Sequence, residues 1–230
     1  KNRYVTQNRL RKMLRYEVAL IEERLNRENN PGRKFFSYAN TVTTINFDKT
    51  LKGHGWVGIR FQLDEKEDYN EIVFHVKFNE NDATLQQETL GSLGVNLIYG
   101  AYNLSDNPRK LIESLYDDIS TDNVEIDMID FSGPAFTYVD NRLMSLQLVK
   151  NGMTDAVIFN PEGNNMLPAD ILYKKNIFAV RGSFRPVTLV NIDMFERGLE
   201  MFMKDSCCSF EETVVLFEIT ISNLRASGDI

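Results

Sequence analysis

One segment in the first half of the chain alternates in character from residue to residue and reads Gly53-His54-Gly55-Trp56-Val57-Gly58-Ile59-Arg60-Phe61-Gln62. Successive side chains of a β-strand point to opposite faces, so the alternation predicts a strand with two unlike faces. One face is apolar and predicts a contact with the protein core; it carries Val57, Ile59, Phe61 and Leu63. The opposite face carries His54, Trp56, Gly58, Arg60 and Gln62.

The second face of this strand is a candidate ligand site. It places an imidazole (His54), the only indole of the chain (Trp56) and a guanidinium (Arg60) around the bare backbone of Gly58. We interpret the gap at Gly58 as space for a flat ligand that Trp56 and Arg60 bind, with His54 as a candidate catalytic group. The alternative is an ordinary sheet face that a helix covers, with Arg60 stacked on Trp56.

The segments on either side complete the predicted fold. Apolar residues at helical spacing predict an amphipathic helix over 5–27, ending near residues 29–32. β-like runs at 34–46, 54–63 and 71–79 predict a three-strand antiparallel meander. The later pattern predicts helices over 82–102, 107–119, 140–151 and 191–204, and strands over 124–131, 155–160, 176–182 and 212–221. This order favours an α/β or α+β fold built around a mixed sheet.

Length and charge limit the classes of function. The chain has 230 residues and a formal net charge of −7. An acidic chain repels nucleic-acid phosphates, so nucleic acid is not an expected partner. No segment reaches the ~20 apolar residues that cross a bilayer, so no membrane partner is expected either. We expect one compact domain over residues 1–230, as the N-terminal part of a longer protein; a division into 1–120 and 121–230 is the alternative.

Cysteine and histidine usage bears on location and on metal binding. The only cysteines, Cys207 and Cys208, are adjacent in the chain, which disfavours a disulfide and indicates a reducing, cytoplasmic setting. The two histidines, His54 and His75, are predicted on neighbouring strands and could meet. No third ligand follows at a metal-binding spacing, so we predict no metal site, and no motif identifies a cofactor.

A basic segment in the second half is a candidate anion site. Residues 171–190 contain four cations and no acidic residue. We interpret Lys174, Arg181 and Arg185 as phosphate or carboxylate ligands, with the amides of Gly182 and Ser183 as further donors, because a glycine-containing turn follows a predicted strand here. The alternative is a set of solvated basic side chains that pair with the abundant acids.

Two other strand ends carry polar side chains. The turn over residues 160–165 presents Asn164 and Asn165, which could bind a base or a sugar, although such residues also simply form turns. If the preceding strand is parallel to the strand before Arg181, both turns share one edge of a sheet and form a common cleft. Asp130 ends the strand predicted over 124–131, where it is a candidate general base or a partner for an arginine. Arg142 lies in the first turn of a predicted helix, where the helix dipole disfavours a cation. This unfavourable position suggests that Arg142 contacts a ligand.

Four strings give the chain a family resemblance. They are Gly53-His54-Gly55-Trp56, Ser132-Gly133-Pro134-Ala135-Phe136, residues 139–147 and residues 181–188. With these the chain resembles a family of uncharacterised bacterial proteins that carry the automatic labels "nicotinate-nucleotide adenylyltransferase" and "TonB-dependent receptor". The resemblance implies a longer C-terminal part. Neither label has a supporting motif, because residues 53–56 do not match the (H/T)xGH signature of nucleotidylyltransferases and no barrel pattern is present.

These observations lead to two functional expectations of different class. The first is a cytoplasmic enzyme that binds a phosphorylated or nucleotide-like small molecule where Arg142, Arg181 and Arg185 converge, with His54, Trp56 and Asp130 nearby. The second is an assembly module, in which the Trp56 face and the first helix bury against a partner or a second copy of the chain.

Overall fold

A computed structural model describes residues 5–25, 32–204, 209–226 and 228. It confirms the predicted fold class, with an N-terminal helix, an antiparallel meander and then alternating strands and helices. The chain divides into two compact units, residues 1–165 and 166–230. The division falls after residue 165 rather than near residue 120. The predicted end of the first helix, at 29–31, and the two cysteines lie outside the described residues.

The element bounds follow the sequence pattern closely in the first half of the chain. The helices are α1 (Gln7–Leu25), α2 (Ala83–Asn103), α3 (Pro108–Ser114), α4 (Asn141–Lys150), α5 (Pro168–Leu172), α6 (Leu189–Met203) and α7 (Ile221–Ala226). The strands are β1 (Phe36–Thr43), β2 (His54–Phe61), β3 (Asn70–Phe78), β4 (Val124–Ser132), β5 (Ile158–Phe159), β6 (Asn165–Met166), β7 (Asn176–Arg181) and β8 (Thr213–Glu218). The short helices α5 and α7 are additional to the predicted elements.

The first unit is built around a four-stranded sheet in the order β1-β2-β3-β4. All neighbours are antiparallel, so β4 extends the predicted meander by one strand. This pairing joins residues on both sides of position 120 in a single sheet, which explains why no division occurs there. One sheet face packs on α2 and α3 around a core of aliphatic and aromatic side chains; among its members are Val57, Ile59, Phe74, Leu97 and Ile112.

Helix α1 covers the opposite face of the sheet. Leu10 and Leu14 are fully buried there. A Cβ atom added at Gly58 would lie 3.0 Å from Leu10 Cδ2, so Leu10 fills the gap at this glycine. The expected space for a flat ligand at Gly58 is therefore wrong. The alternation of the strand revealed its second face, but it could not reveal which helix would cover that face.

The second unit contains a parallel pair, β7 and β8, with α6 between them in the chain. Phe178 of β7 packs against Phe195 and Phe202 of α6, at ring-centroid distances of 6.1 and 5.4 Å.

Strand β5 does not pair with β7. It pairs with β6 in a separate two-stranded sheet. Because β5 and β7 belong to different sheets, the turns that follow them do not share a sheet edge, and that expectation is wrong.

The packing of Leu10 on Gly58 predicts that Leu10→Ala destabilises the first unit by about 2–5 kcal/mol, because it leaves a cavity in a fully buried site. Urea unfolding followed by tryptophan fluorescence measures the change, since Trp56 lies on the same sheet face. Met13→Ala is the matched control on α1: Met13 is 36% exposed, so its truncation should cost much less. Equal losses for the two variants would contradict the proposed packing.

Candidate functional site

A cleft of about 280 Å³ opens in the first unit beside the C-terminal half of β4. Three segments form it: the end of β4, the N-terminus of α4 and the turn that precedes β6, with one residue of α1 at its rim. Its lining consists of Gln7, Met128, Asp130, Asp140, Asn141, Arg142, Gly163, Asn164 and Asn165. Four of the predicted site residues therefore line one cleft; they are Asp130, Arg142, Asn164 and Asn165.

A β-bulge in β4 turns side chains toward this cleft. His75 pairs with Met128 and Val76 pairs with Ile126, which leaves Asp127 as the extra residue. The bulge shifts the alternation by one residue, so Ile126 points into the core whereas Met128 lines the cleft. A strict two-residue period would put Met128 on the same face as Ile126, and the bulge moves it to the other face. Bulges reorient side chains in this way, commonly beside functional sites.

Asp130 lies where the sheet, α1 and the cleft meet. Its carboxylate forms an ion pair with Arg11 of α1, and Arg11 also binds Glu71 of β3. Burial raises the pKa of Asp130, and the Arg11 guanidinium offsets only part of that rise. The predicted contact between Asp130 and an arginine is thus present in the structure. A carboxyl group with a raised pKa holds a proton more readily than an ordinary aspartate, which suits it to proton exchange.

Arg142 pairs with the residue that caps its own helix. Asp140 accepts a hydrogen bond from the Arg142 backbone N–H and also binds the guanidinium, through Nε at 3.0 Å and Nη2 at 2.7 Å. These contacts hold the pKa of Asp140 below its usual range. The N-cap carboxylate therefore offsets the unfavourable interaction of this cation with the dipole of α4. Within the described residues Nη1 of Arg142 makes no hydrogen bond, which leaves it available at the cleft.

The asparagines of the 160–165 turn form the opposite wall. Gly163 has a φ of +84°, and the Asn164 backbone donates to Asn160 Oδ1 at 2.7 Å, so the turn is well defined. The side-chain amide of Asn165 donates to Ile129 O at 3.4 Å and to Asn141 O at 3.2 Å. Its Oδ1 is buried and has no partner within the described residues. A buried acceptor without a donor is costly to the folded state.

His54 and Trp56 belong to a second polar cluster on the face that α1 covers. Their rings lie 5.7 and 5.0 Å from the ring of His75. His75 Nδ1 is 2.7 Å from Asp127 Oδ1, and Lys77 Nζ is 2.8 Å from Asp127 Oδ2. The two histidines meet as predicted. The buried partner Asp127 was missed, because its contact with His75 depends on the bulge.

Access to this second cluster is restricted. Trp56 is 5% exposed and His75 is 2% exposed, whereas His54 at the end of β2 is partly buried. Arg60 stacks on Tyr69, 4.5 Å from the ring centroid, and pairs with Glu71 rather than stacking on Trp56. Trp56 and Arg60 therefore contact other side chains of the protein. Their assigned roles in ligand binding remain predictions.

The basic segment lies in the second unit, and part of its charge is paired there. Arg181 Nη2 lies 2.7 Å from Glu218 Oε1, and the Gly182 N–H donates to Glu218 O at 3.1 Å. Lys174 Nζ lies 5.4 Å from the centre of the Tyr173 ring. The Gly182 amide is thus used in strand pairing, and its expected role as an anion donor is wrong. Anion binding by Lys174, Arg181, Ser183 and Arg185 remains a prediction.

Comparisons with known proteins match no family model, no curated protein and no solved structure. The resemblance to the uncharacterised bacterial family therefore remains a prediction. Within the described ranges, no group of three or more His, Cys, Asp or Glu residues could hold a metal ion. In the same part of the chain, no helix has the length and apolar character to span a membrane.

The environment of His54 predicts a pH dependence of stability. Burial, followed by the charge of His75, lowers the pKa of His54 below its ordinary value of 6.5. As the pH falls through that value, the unfolded chain binds a proton that the folded chain does not, so stability should decrease toward acid. We expect His54→Gln to flatten the stability profile between about pH 7 and pH 5 in thermal or urea unfolding. Parallel profiles for the two proteins would contradict this assignment.

Proposed function

We propose that the chain is an enzyme that binds a small phosphorylated or nucleotide-like molecule in the cleft beside β4. The observation that carries the proposal is the convergence of a guanidinium, four carboxamides and a carboxyl group of raised pKa on one cleft of about 280 Å³. Small-molecule sites usually combine a concave surface with a few convergent polar groups and a titratable group of shifted pKa.

Arg142 is the proposed anion ligand. Among the described residues that line the cleft, it is the only one with a formal positive charge. Asp140 fixes the guanidinium from one side through Nε and Nη2, which orients the remaining edge. A preoriented guanidinium loses less side-chain entropy when it binds a phosphate or carboxylate.

The charge balance of the cleft favours a ligand with more than an anionic group. In the described part of the lining, Asp130 and Asp140 contribute two carboxylates, whereas Arg142 contributes one guanidinium. A bare phosphate ion would be repelled by the carboxylates. A phosphorylated sugar or a nucleotide could instead give its phosphate to Arg142 and donate its hydroxyl or amino hydrogens to Asp130 and to the exposed carboxamide of Asn164.

Asp130 is the proposed acid or base of the reaction. Arg11 binds two carboxylates whose pKa values shift in opposite directions, since the pKa of Glu71 is lowered and that of Asp130 is raised. Divergent pKa values within one cluster assign the proton-transfer role to the group that can hold the proton. Asp130 can therefore change its charge while Glu71 remains ionised.

The proposal includes a cytoplasmic location and a small anionic ligand, with no nucleic acid as partner and no named cofactor. The adjacent cysteines support the cytoplasmic location, and the net charge of −7 disfavours nucleic acid as a partner. The alternative assembly through the Trp56 face has less support, because α1 of the same chain covers that face.

The role of Arg142 is tested with its alanine variant. We expect Arg142→Ala to weaken binding of adenosine monophosphate or ribose phosphate about 10- to 100-fold, because hydrogen bonds between charged groups are lost. Isothermal titration calorimetry of the whole chain measures the change. Arg109→Ala, on the exposed side of α3, is the control for loss of a surface arginine. Unchanged affinity in the Arg142 variant would contradict the proposed anion site.

The role of Asp130 is tested separately. Asp130→Asn keeps the size of the side chain and leaves Arg11 bound to Glu71, so the fold should persist. We expect this variant to retain ligand binding by calorimetry but to lose about 100-fold or more in turnover of a ligand identified by native mass spectrometry. Full turnover by the variant would exclude Asp130 as the acid or base.

A further inference from the structure

β1 is an edge strand of the first unit, and no described strand pairs with its outer side. The Gln62 N–H donates to Phe35 O at 3.1 Å just before β1 begins. Antiparallel partners alternate between pairs that exchange hydrogen bonds and pairs that do not. The N–H and C=O groups of every second residue of β1 therefore point away from β2; these residues are Phe36, Tyr38, Asn40 and Val42.

The sequence of β1 has none of the usual protection of a sheet edge. Residues 36–43 contain no charged residue, no proline and no glycine. The strand pairs with β2 through eight consecutive residues without a register shift. Natural proteins usually protect exposed edges with lysine, proline, bulges or covering segments, because a regular uncharged edge pairs readily with another strand.

The other edge of the same sheet shows that protection. β4 carries three acidic residues and the bulge at Asp127. Its outer side is also occupied, since Ile126 N–H donates to Met153 O at 3.2 Å and the Asn165 amide reaches Ile129 O. The contrast between the two edges indicates that the exposure of β1 is a specific feature of this sheet.

Exposed apolar side chains adjoin the β1 edge. Phe36 at the start of the strand is 43% exposed. Helix α2 packs on β1, where a Cβ atom added at Gly94 would lie 2.9 Å from the Tyr38 hydroxyl. The Phe36 ring also lies 6.1 Å from the ring of Tyr102 of the same helix. These aromatic side chains add apolar area to an interface that main-chain hydrogen bonds would organise.

We propose that β1 pairs antiparallel with β1 of a second copy of this chain, so that two four-stranded sheets form one continuous sheet. Identical strands pair antiparallel about a two-fold axis, and each copy then contributes the same surface. Two copies of a chain with a net charge of −7 repel each other electrostatically, and an uncharged strand adds no further like charge to their contact. This inference is independent of the proposed ligand site.

Sedimentation velocity of the full chain over a dilution series tests the proposal. We expect a dimer that Asn40→Pro weakens about 100-fold, because each copy loses one outward N–H and one hydrogen bond is worth about tenfold in the dissociation constant. Proline is tolerated at an outward edge position, so the monomer should remain folded. Asn40→Ala is the matched control: it removes the same carboxamide but keeps the N–H, and it should remain dimeric. A dimer that is equally stable in both variants would overturn the proposal.

Hydrogen exchange provides a readout that does not depend on the variant. The outward amides of Phe36, Tyr38, Asn40 and Val42 should be protected in the dimer and should exchange faster on dilution. Rapid exchange with a monomer at every concentration would overturn the proposal. Protection of these amides in a monomer would also overturn it, because another segment of the same chain would then occupy the edge.

Discussion

The first unit depends on a single buried carboxylate, that of Glu71. It is 3% exposed, yet it is ionised because Arg11 and Arg15 of α1 and Arg60 of β2 all bind it. Burial would raise its pKa, but the three guanidinium groups together lower it below the usual range. An unpaired charge at this depth would cost several kcal/mol, so α1 must dock with its arginines in place. This docking in turn brings Leu10 against Gly58 and Arg11 against Asp130.

The two edges of the four-stranded sheet differ in their surroundings. At the β4 edge, the segments that cover the strand also create the cleft, because Asn165 reaches the β4 backbone while the 163–165 turn and Arg142 line the space beside it. At the β1 edge no described strand pairs with the outer side of the sheet. The edges are three strand spacings apart, roughly 14 Å. A second copy bound at β1 would therefore leave the cleft open to a ligand.

Local patterns in the sequence were sufficient for some features of this site and insufficient for others. The helix starts predicted at residues 82 and 140 and the strand periodicity of β2 depend on neighbours within a few residues. The structure confirms the strand, and it shows that Asp82 and Asp140 are the N-caps of the two helices. The contact of Leu10 with Gly58 joins residues far apart in the chain, and no local period encodes it. The bulge at Asp127 arises from pairing with β3, so the position of Met128 and the contact between Asp127 and His75 required the three-dimensional structure.

Arg11 couples the stability of the fold to the chemistry of the cleft. It binds Glu71, which holds α1 on the sheet, and Asp130, which lines the cleft. Because the pKa of Glu71 is lowered and that of Asp130 is raised, Asp130 takes up a proton before Glu71 does as the pH falls. Arg11 would then lose one partner but keep the other, and α1 would stay in place. The same arginine thus permits Asp130 to gain and lose a proton within a folded protein, which is the physical requirement for an acid or base that acts repeatedly.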